Sequence, residues 1–128
     1  MKLLLNTHAF LWWDSNPAKL SAPALRVCQD PTNALVLNVA SVWEMQIKLQ
    51  LGKLRLALSL ETLLESQQQM NRLMILPIEL AHVLALKDLP THHKDPFDRL
   101  LVAQANVESA VLVSSDPIFE NYPVNWLW

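Results

Sequence analysis

The sequence has little glycine and cysteine and no excess of charge of either sign. Gly52 is the only glycine in 128 residues, and 52% of the residues are hydrophobic. This composition excludes a disordered or low-complexity chain, because such chains lack the apolar surface that drives folding. Cys28 is the only cysteine, so no disulfide can form within the chain and a reducing compartment is expected. We expect its side chain to be a small buried apolar group.

Charge and long apolar runs set two further limits. The net charge is −2 and the pI about 6.0, which argues against a general basic surface for nucleic acid but leaves room for a site in which a bound cation supplies the positive charge. No apolar run approaches the roughly 18 residues that span a bilayer, and the N-terminal apolar run is too short for a signal peptide. We therefore predict a cytoplasmic protein without a membrane partner, folded as a single domain over residues 1–128.

Short apolar runs alternate with helical patterns along the chain. The predicted strands lie at 2–5, 34–39, 74–78, 110–114 and 124–127. The predicted helices lie at 8–13, 20–29, 60–73 and 79–87, with one running from a Ser-x-x-Glu capping box at 41–44 to Gly52 and another beginning at Pro96. This alternation predicts an α/β fold with a central, mostly parallel sheet of about four to five strands flanked by helices.

The segment 92–105 holds two acids at the start of a predicted helix. Asp95 stands where an N-cap residue belongs, Pro96 at the first helical position and Asp98 at the third. There the Asp98 carboxylate would lie near unpaired backbone N–H groups and the positive end of the helix dipole, so it would stay ionised. Such a carboxylate can ligate a hard metal ion. The alternative is that both acids only cap the helix.

Four polar residues follow predicted strands or stand in the first turn of the helix after a strand: Asn6, Glu44, Asp98 and Asp116. In open parallel sheets, ligands bind beyond the carboxyl ends of the strands, so these side chains belong on one edge. Oxygen ligands without cysteine or suitably spaced histidine favour Mg²⁺ or Mn²⁺ over zinc. Each residue also has a local explanation, as a helix cap or a strand end, and both interpretations stay open on spacing alone.

Four motifs together resemble a known family. They are Leu-Leu-Leu-Asn-Thr-His-Ala at 3–9, Ser-Val-Trp-Glu at 41–44 with Ile-Lys-Leu and Gly-Lys-Leu after it, His-His-Lys-Asp-Pro-Phe-Asp-Arg-Leu-Leu-Val-Ala-Gln-Ala at 92–105, and Val-Ser-Ser-Asp at 113–116. In this order they resemble a PIN domain, and the subgroup that they resemble most is the VapC-type toxins of bacterial toxin–antitoxin pairs. The resemblance implies a three-layer α/β fold and a divalent-metal-dependent ribonuclease that cleaves tRNA or rRNA. It also implies a cognate VapB-type antitoxin and a homodimer.

The resemblance also assigns roles to residues. The acids of the family fall on Glu44, Asp98 and Asp116, and its first acid falls on Asn6. Asp98 and Asp116 would ligate Mg²⁺ or Mn²⁺, and Glu44 would ligate the ion or orient the attacking water. Beside these residues, Thr7 and Ser114 lie close enough in sequence to orient the acids or a phosphate through their hydroxyls, although bonds to local backbone explain them at least as well. Asp95 could also support the site, but its N-cap role is enough to explain it. His92 and His93 would stand in an exposed loop that could meet RNA.

Asn6 is the one departure from the family pattern. Asparagine keeps one carbonyl oxygen for a cation but lacks the negative charge and second oxygen of aspartate, so we expect weaker Mg²⁺ binding. Three explanations stay open: a change made so that a toxic protein can be expressed, which we favour, a tolerated natural variant, or a catalytically degenerate member that acts as a binding module.

Overall fold

The chain is built on a parallel β-sheet, seen in a computed structural model that describes residues 1–91 and 95–128. Within those residues the sheet has five strands in the order β3-β2-β1-β4-β5, and every pairing is parallel. The strands are β1 (Lys2–Leu5), β2 (Ala34–Asn38), β3 (Met74–Leu76), β4 (Val111–Val113) and β5 (Trp126–Leu127). The predicted α/β fold is confirmed, and β3, which Pro77 follows directly, stands at the sheet edge, where proline is tolerated.

The α-helices of the described residues are α1 (Thr7–Ser15), α2 (Ala22–Gln29), α3 (Val39–Gln50), α4 (Leu60–Asn71), α5 (Leu80–Ala85) and α6 (Pro96–Val107). Short 3₁₀ segments cover Pro17–Lys19, Leu86–Asp88 and Pro117–Asn121. None of the helices in this part of the chain is long and apolar enough to cross a bilayer. Each predicted helix is present, with ends displaced by a few residues.

Alternating side chains of the central strand divide the core into two parts. Leu3 and Leu5 belong to one buried cluster and Leu4 to the other, because successive residues of a strand point to opposite faces. Helices α1 to α4 contribute Phe10, Cys28, Met45 and Leu63 to the first cluster. Helix α6 contributes Leu101, Val102, Ala103 and Ala105 to the second. Helices therefore cover both faces of the sheet, giving the three-layer arrangement.

The start of α3 differs from the predicted capping box. The N-cap is Asn38, the last residue of β2, and its side-chain oxygen accepts a hydrogen bond from the Ser41 amide at 2.8 Å. The capping box at 41–44 was therefore wrong, because Asn38 is an equally good cap and stands where the strand ends. Glu44 lies one turn into the helix, and its carboxylate makes other contacts. Gly52 follows the helix end with φ +70°, as expected of a glycine stop.

The lone cysteine lies in the core, as predicted. Cys28 is only 5% exposed, and burial raises the pKa of its thiol to about 11. A thiol with so high a pKa is almost entirely protonated at neutral pH and is a poor nucleophile. Its role is packing.

Candidate active site

The carboxyl edge of the sheet opens into a cavity of about 490 Å³. Its lining comes from the start of α1 after β1, the start of α3 after β2, the first turn of α6 and the loop after β4. Six of the seven predicted site residues line this cavity: Asn6, Thr7, Glu44, Asp95, Asp98 and Asp116. The seventh, Ser114, is fully buried and hydrogen-bonds to Asn6. Segments far apart in sequence meet here because parallel strands end at the same edge.

Both polar atoms of the Asn6 side chain hydrogen-bond to neighbouring groups. Its Oδ1 accepts from the Ala9 amide at 2.9 Å, which caps α1, and its Nδ2 donates to the Ser114 hydroxyl oxygen at 2.8 Å. Only the oxygen can accept from the Ala9 N–H, so this bond sets which way the amide points. Asn6 can therefore offer a cation only the remaining lone pair of an oxygen that already caps a helix.

The Ser114 hydroxyl links the end of β1 to the loop that holds Asp116. Its oxygen accepts from Asn6 and also from the Asp116 amide at 3.1 Å. The Ser114 carbonyl accepts from the Trp126 indole N–H at 2.8 Å, which ties the same loop to β5. Ser114 thus orders the loop after β4 from both of its polar groups.

The Glu44 carboxylate is held by two contacts. One oxygen accepts a hydrogen bond from the Thr7 hydroxyl, and the other lies 3.7 Å from Nζ of Lys48, one turn further along α3. Thr7 is itself buried, so it can orient the carboxylate firmly. Lys48 also lines the cavity and places a positive charge among the acids.

The three aspartates stand at the starts of helical segments. Asp95 accepts from the Phe97 amide at 2.9 Å and is the N-cap of α6, as predicted. Asp116 accepts from the Ile118 amide at 3.0 Å and caps the 3₁₀ segment after Pro117. Each cap uses one carboxylate oxygen. Asp98 lies in the first turn of α6 and faces the same cavity.

The donor atoms of the cavity suit a hard cation. Carboxylate, amide and hydroxyl oxygens predominate in the lining, which is the ligand type that Mg²⁺ and Mn²⁺ take. Across residues 1–91 and 95–128, however, no group of three His, Cys, Asp or Glu side chains is arranged to hold a metal ion. The cavity fits such an ion by chemistry, and the predicted metal roles stay predictions.

Comparison with known proteins identifies the family. A family model for the PIN domain matches residues 3–125, nearly the whole chain. The chain belongs to the PIN domain family. No curated protein matches it in sequence.

Solved structures of similar fold include the following three. VapBC2 from Rickettsia felis, bound to a DNA fragment from its promoter, gives a TM-score of 0.73 at 16% identity, covering 100% of this chain and 99% of that one. VapBC-1 from nontypeable Haemophilus influenzae gives 0.63 at 19% identity, covering 99% and 97%. FitAcB from Neisseria gonorrhoeae gives 0.54 at 15% identity, covering 90% and 88%. At these identities the likeness shows the PIN fold alone.

One residue that lines the cavity of this PIN domain, Asn38, was not singled out from the sequence. Asn38 is 1% exposed, caps α3 and lines the cavity; an asparagine directly after an apolar run, as at Asn6, was the available signal. Arg99 is not a lining residue of the cavity. Its guanidinium donates to the carbonyls of Pro90 and Leu86, at 2.9 and 3.4 Å.

Three histidines stand near the predicted site in the sequence. His92 and His93 lie outside the described residues. His8 is exposed, lines the cavity and stacks its ring on Trp12 at 5.8 Å between centroids.

Proposed function

We propose that this PIN domain is a Mg²⁺- or Mn²⁺-dependent endoribonuclease of the VapC type, cleaving tRNA or rRNA and neutralised by a VapB-type antitoxin. The observation that carries the proposal is the cavity at the carboxyl edge, into which three separate segments bring Glu44, Asp98 and Asp116. The fold neighbours named as VapBC and FitAcB assemblies support an antitoxin partner. The same family likeness supports a homodimer in a bacterial cytoplasm.

Each charged residue of the cavity has a separate role in the proposed reaction. Asp98 and Asp116 would hold the divalent ion, which when bound polarises a phosphodiester and lowers the pKa of a water for in-line attack. Glu44, oriented by the Thr7 hydroxyl, would hold the ion or direct the attacking water. Lys48 lies one turn away and would face the phosphate. Asp95 keeps its structural role as the cap of α6.

Asn6 weakens this site through both charge and orientation. It lacks the negative charge of an aspartate, and its NH₂ group points at the Ser114 oxygen. With aspartate at position 6, the Ser114 hydroxyl would instead donate to a carboxylate, leaving a charged oxygen for the ion. We expect the Asn6 chain to bind Mg²⁺ weakly and to cleave RNA slowly.

The acidic cavity also fits a protein inhibitor. Glu44, Asp98 and Asp116 give the cavity negative charge, which an arginine or lysine of an antitoxin could match in place of the metal ion. Such a partner would block the site and neutralise it at the same time.

The test compares the chain with its Asn6→Asp variant on total tRNA and rRNA, with Mg²⁺, Mn²⁺ or EDTA. We expect the Asp form to cleave at least about 10-fold faster, because losing even a group that supports a metal ligand typically costs that much, and to lose activity in EDTA. Asn6→Asp combined with Glu44→Gln is the matched control and should cleave no faster than the starting chain. An Asp form that shows neither metal-dependent cleavage nor growth toxicity would contradict the proposal.

A second function is favoured by the hydrogen bonds of Asn6. Because both polar groups of its amide are engaged within the protein, the chain could be a catalytically degenerate PIN-fold module that keeps only its partner surface. This alternative predicts that the Asn6 chain binds RNA or antitoxin but shows no cleavage with either metal. Equal cleavage by the Asn6 and Asp forms would exclude it and would make Asn6 a working ligand.

A further inference from the structure

Two aromatic side chains meet at the rim of the cavity. Trp43 on α3 and Phe97 on α6 pack edge to face, with ring centroids 5.5 Å apart and an interplanar angle of 61°. Trp43 is nevertheless 60% exposed. An indole with so much surface in water contributes little to the core, so packing alone does not account for tryptophan at this position.

The pair stands beside two of the acids. Trp43 directly precedes Glu44, and Phe97 directly precedes Asp98. Phe97 itself lines the cavity, and Trp43, which is exposed and is not a lining residue, contacts the Phe97 ring. The two aromatic rings therefore form a ledge between the helices that carry the acids, and we call it the aromatic ledge.

The chemistry of this ledge differs from that of the other exposed apolar surface. On α5, Leu80, Val83 and Leu84 are also exposed, but their side chains are aliphatic and none lines the cavity. An indole face offers a flat π surface, on which any nucleobase can stack. Lys48 lines the same cavity and supplies a positive charge for a neighbouring phosphate. A flat π surface beside acids and a lysine matches one nucleotide unit, a base next to its phosphate.

We propose that Trp43, backed by Phe97, is a stacking platform for an unpaired nucleobase next to the scissile phosphate of single-stranded RNA. The inference rests on the proposed ribonuclease function and adds to it a residue that holds a base. A base inside a duplex is covered on both faces by its neighbours and cannot reach the ring, so the test uses single-stranded RNA.

The test measures RNA binding, so it does not depend on how fast the Asn6 chain cleaves. Fluorescently labelled single-stranded RNA is titrated with the full chain in Mg²⁺ and in EDTA, and an oligonucleotide with the same phosphates but an abasic nucleotide at each position in turn is titrated in parallel. We expect Trp43→Ala to bind the intact RNA about 5- to 150-fold more weakly, the range measured for single stacked bases. Trp43→Phe should keep most of the affinity.

Two features separate stacking from a structural effect. The abasic oligonucleotide that removes the stacked base should bind the unaltered chain and Trp43→Ala equally well, and the intact RNA should quench an indole emission that Trp43→Phe lacks. Leu80→Ala, which removes another exposed apolar side chain from a helix outside the cavity lining, is the control and should leave RNA binding unchanged.

The failures are distinguishable. If the unaltered chain binds RNA but no abasic position weakens it, or if Trp43→Ala keeps the full preference for the intact strand, the platform is wrong while RNA binding by the site stands. That result would favour a protein partner as the ligand of Trp43. If the unaltered chain binds neither oligonucleotide in Mg²⁺, the platform and the proposed function fall together.

Discussion

A chain of buried polar side chains crosses the layer between the sheet and α6. Asn38 donates to Oε1 of Gln104 at 2.8 Å, and Nε2 of Gln104 lies 3.3 Å from Nδ1 of His82. Nδ1 of His82 accepts from the Glu79 amide, so the proton of the His82 ring is on its Nε2. That His82 Nε2 lies 2.9 Å from a Glu108 carboxylate oxygen. Gln104 and His82 have no exposed surface, and Asn38 has 1%. Nε2 of Gln104 also donates to the Pro77 carbonyl oxygen at 3.3 Å, so Asn38, Gln104 and His82 all have hydrogen-bond partners.

We predict that Gln104→Leu lowers the free energy of unfolding by about 1–3 kcal/mol, the cost of leaving one buried polar group unsatisfied. Leucine has nearly the volume of glutamine, so the main loss is the acceptor for the buried Asn38 amide rather than a cavity. The cost is a large fraction of the roughly 5–15 kcal/mol that holds a domain folded. Urea unfolding followed by circular dichroism measures it.

The control is Gln69→Leu, the same substitution at an exposed position of α4, which should change stability by less than about 0.5 kcal/mol. A double-mutant cycle with Asn38→Ala should show that the two buried losses are not additive, because the second change removes the orphaned amide. If Gln104→Leu is as stable as the Gln69 control, the chain of hydrogen bonds does not stabilise the fold and the reasoning is refuted.

Three further changes probe single contacts. The hydrogen bond from His82, aided by Lys2, holds the Glu108 pKa below its ordinary value of 4.5. The stabilisation that this lowered pKa gives to the folded state is fully present above that value. It is lost as the pH falls through the lower pKa of the folded state. Glu108→Gln should flatten this acid limb in urea titrations run at several pH values, and an unchanged limb would contradict the assignment. Gly52→Ala should cost about 1–2 kcal/mol because φ is +70° although a Cβ would meet nothing within 4 Å; thermal melts should show a smaller loss for Gly52→Asn. Thr7→Val removes the hydroxyl that orients Glu44. In the Asn6→Asp background it should slow cleavage with only a small change in melting temperature. Unchanged activity would show that the Glu44 carboxylate needs no such support.

Local sequence patterns predicted most of the fold because they depend on neighbours within a few residues. Period and length placed the strands, Ser21 caps α2 through the Ala24 amide, and Asp95 and Pro96 begin α6 as predicted. The same locality explains the error at α3. Both the Ser-x-x-Glu pattern at 41–44 and the earlier Asn38 can begin a helix. The helix begins after Asn38 because β2 ends at that residue.

The contacts that shape the cavity could not be found in this way. Thr7 and Glu44 are 37 residues apart, Asn38 and Gln104 are 66, and Asn6 and Ser114 are 108. No pattern of neighbouring residues encodes which side chain lies across a sheet edge. The orientation of the Asn6 amide, which limits it as a metal ligand, follows from the local Ala9 amide together with the distant Ser114 hydroxyl.

The sequence by itself determined the parallel α/β fold, the helix starts at Asp95 and Asp116, and the set of acids that belongs at one edge, since each follows from periodicity, capping chemistry and the resemblance of its motifs. Tertiary structure alone decided that Asn6 points its nitrogen at Ser114, that Glu44 is oriented by Thr7 and that Trp43 meets Phe97 at the cavity rim. The physical reason is that a hydrogen bond or a ring contact depends on distances in space, and the parallel sheet brings together the ends of strands that are far apart in the chain.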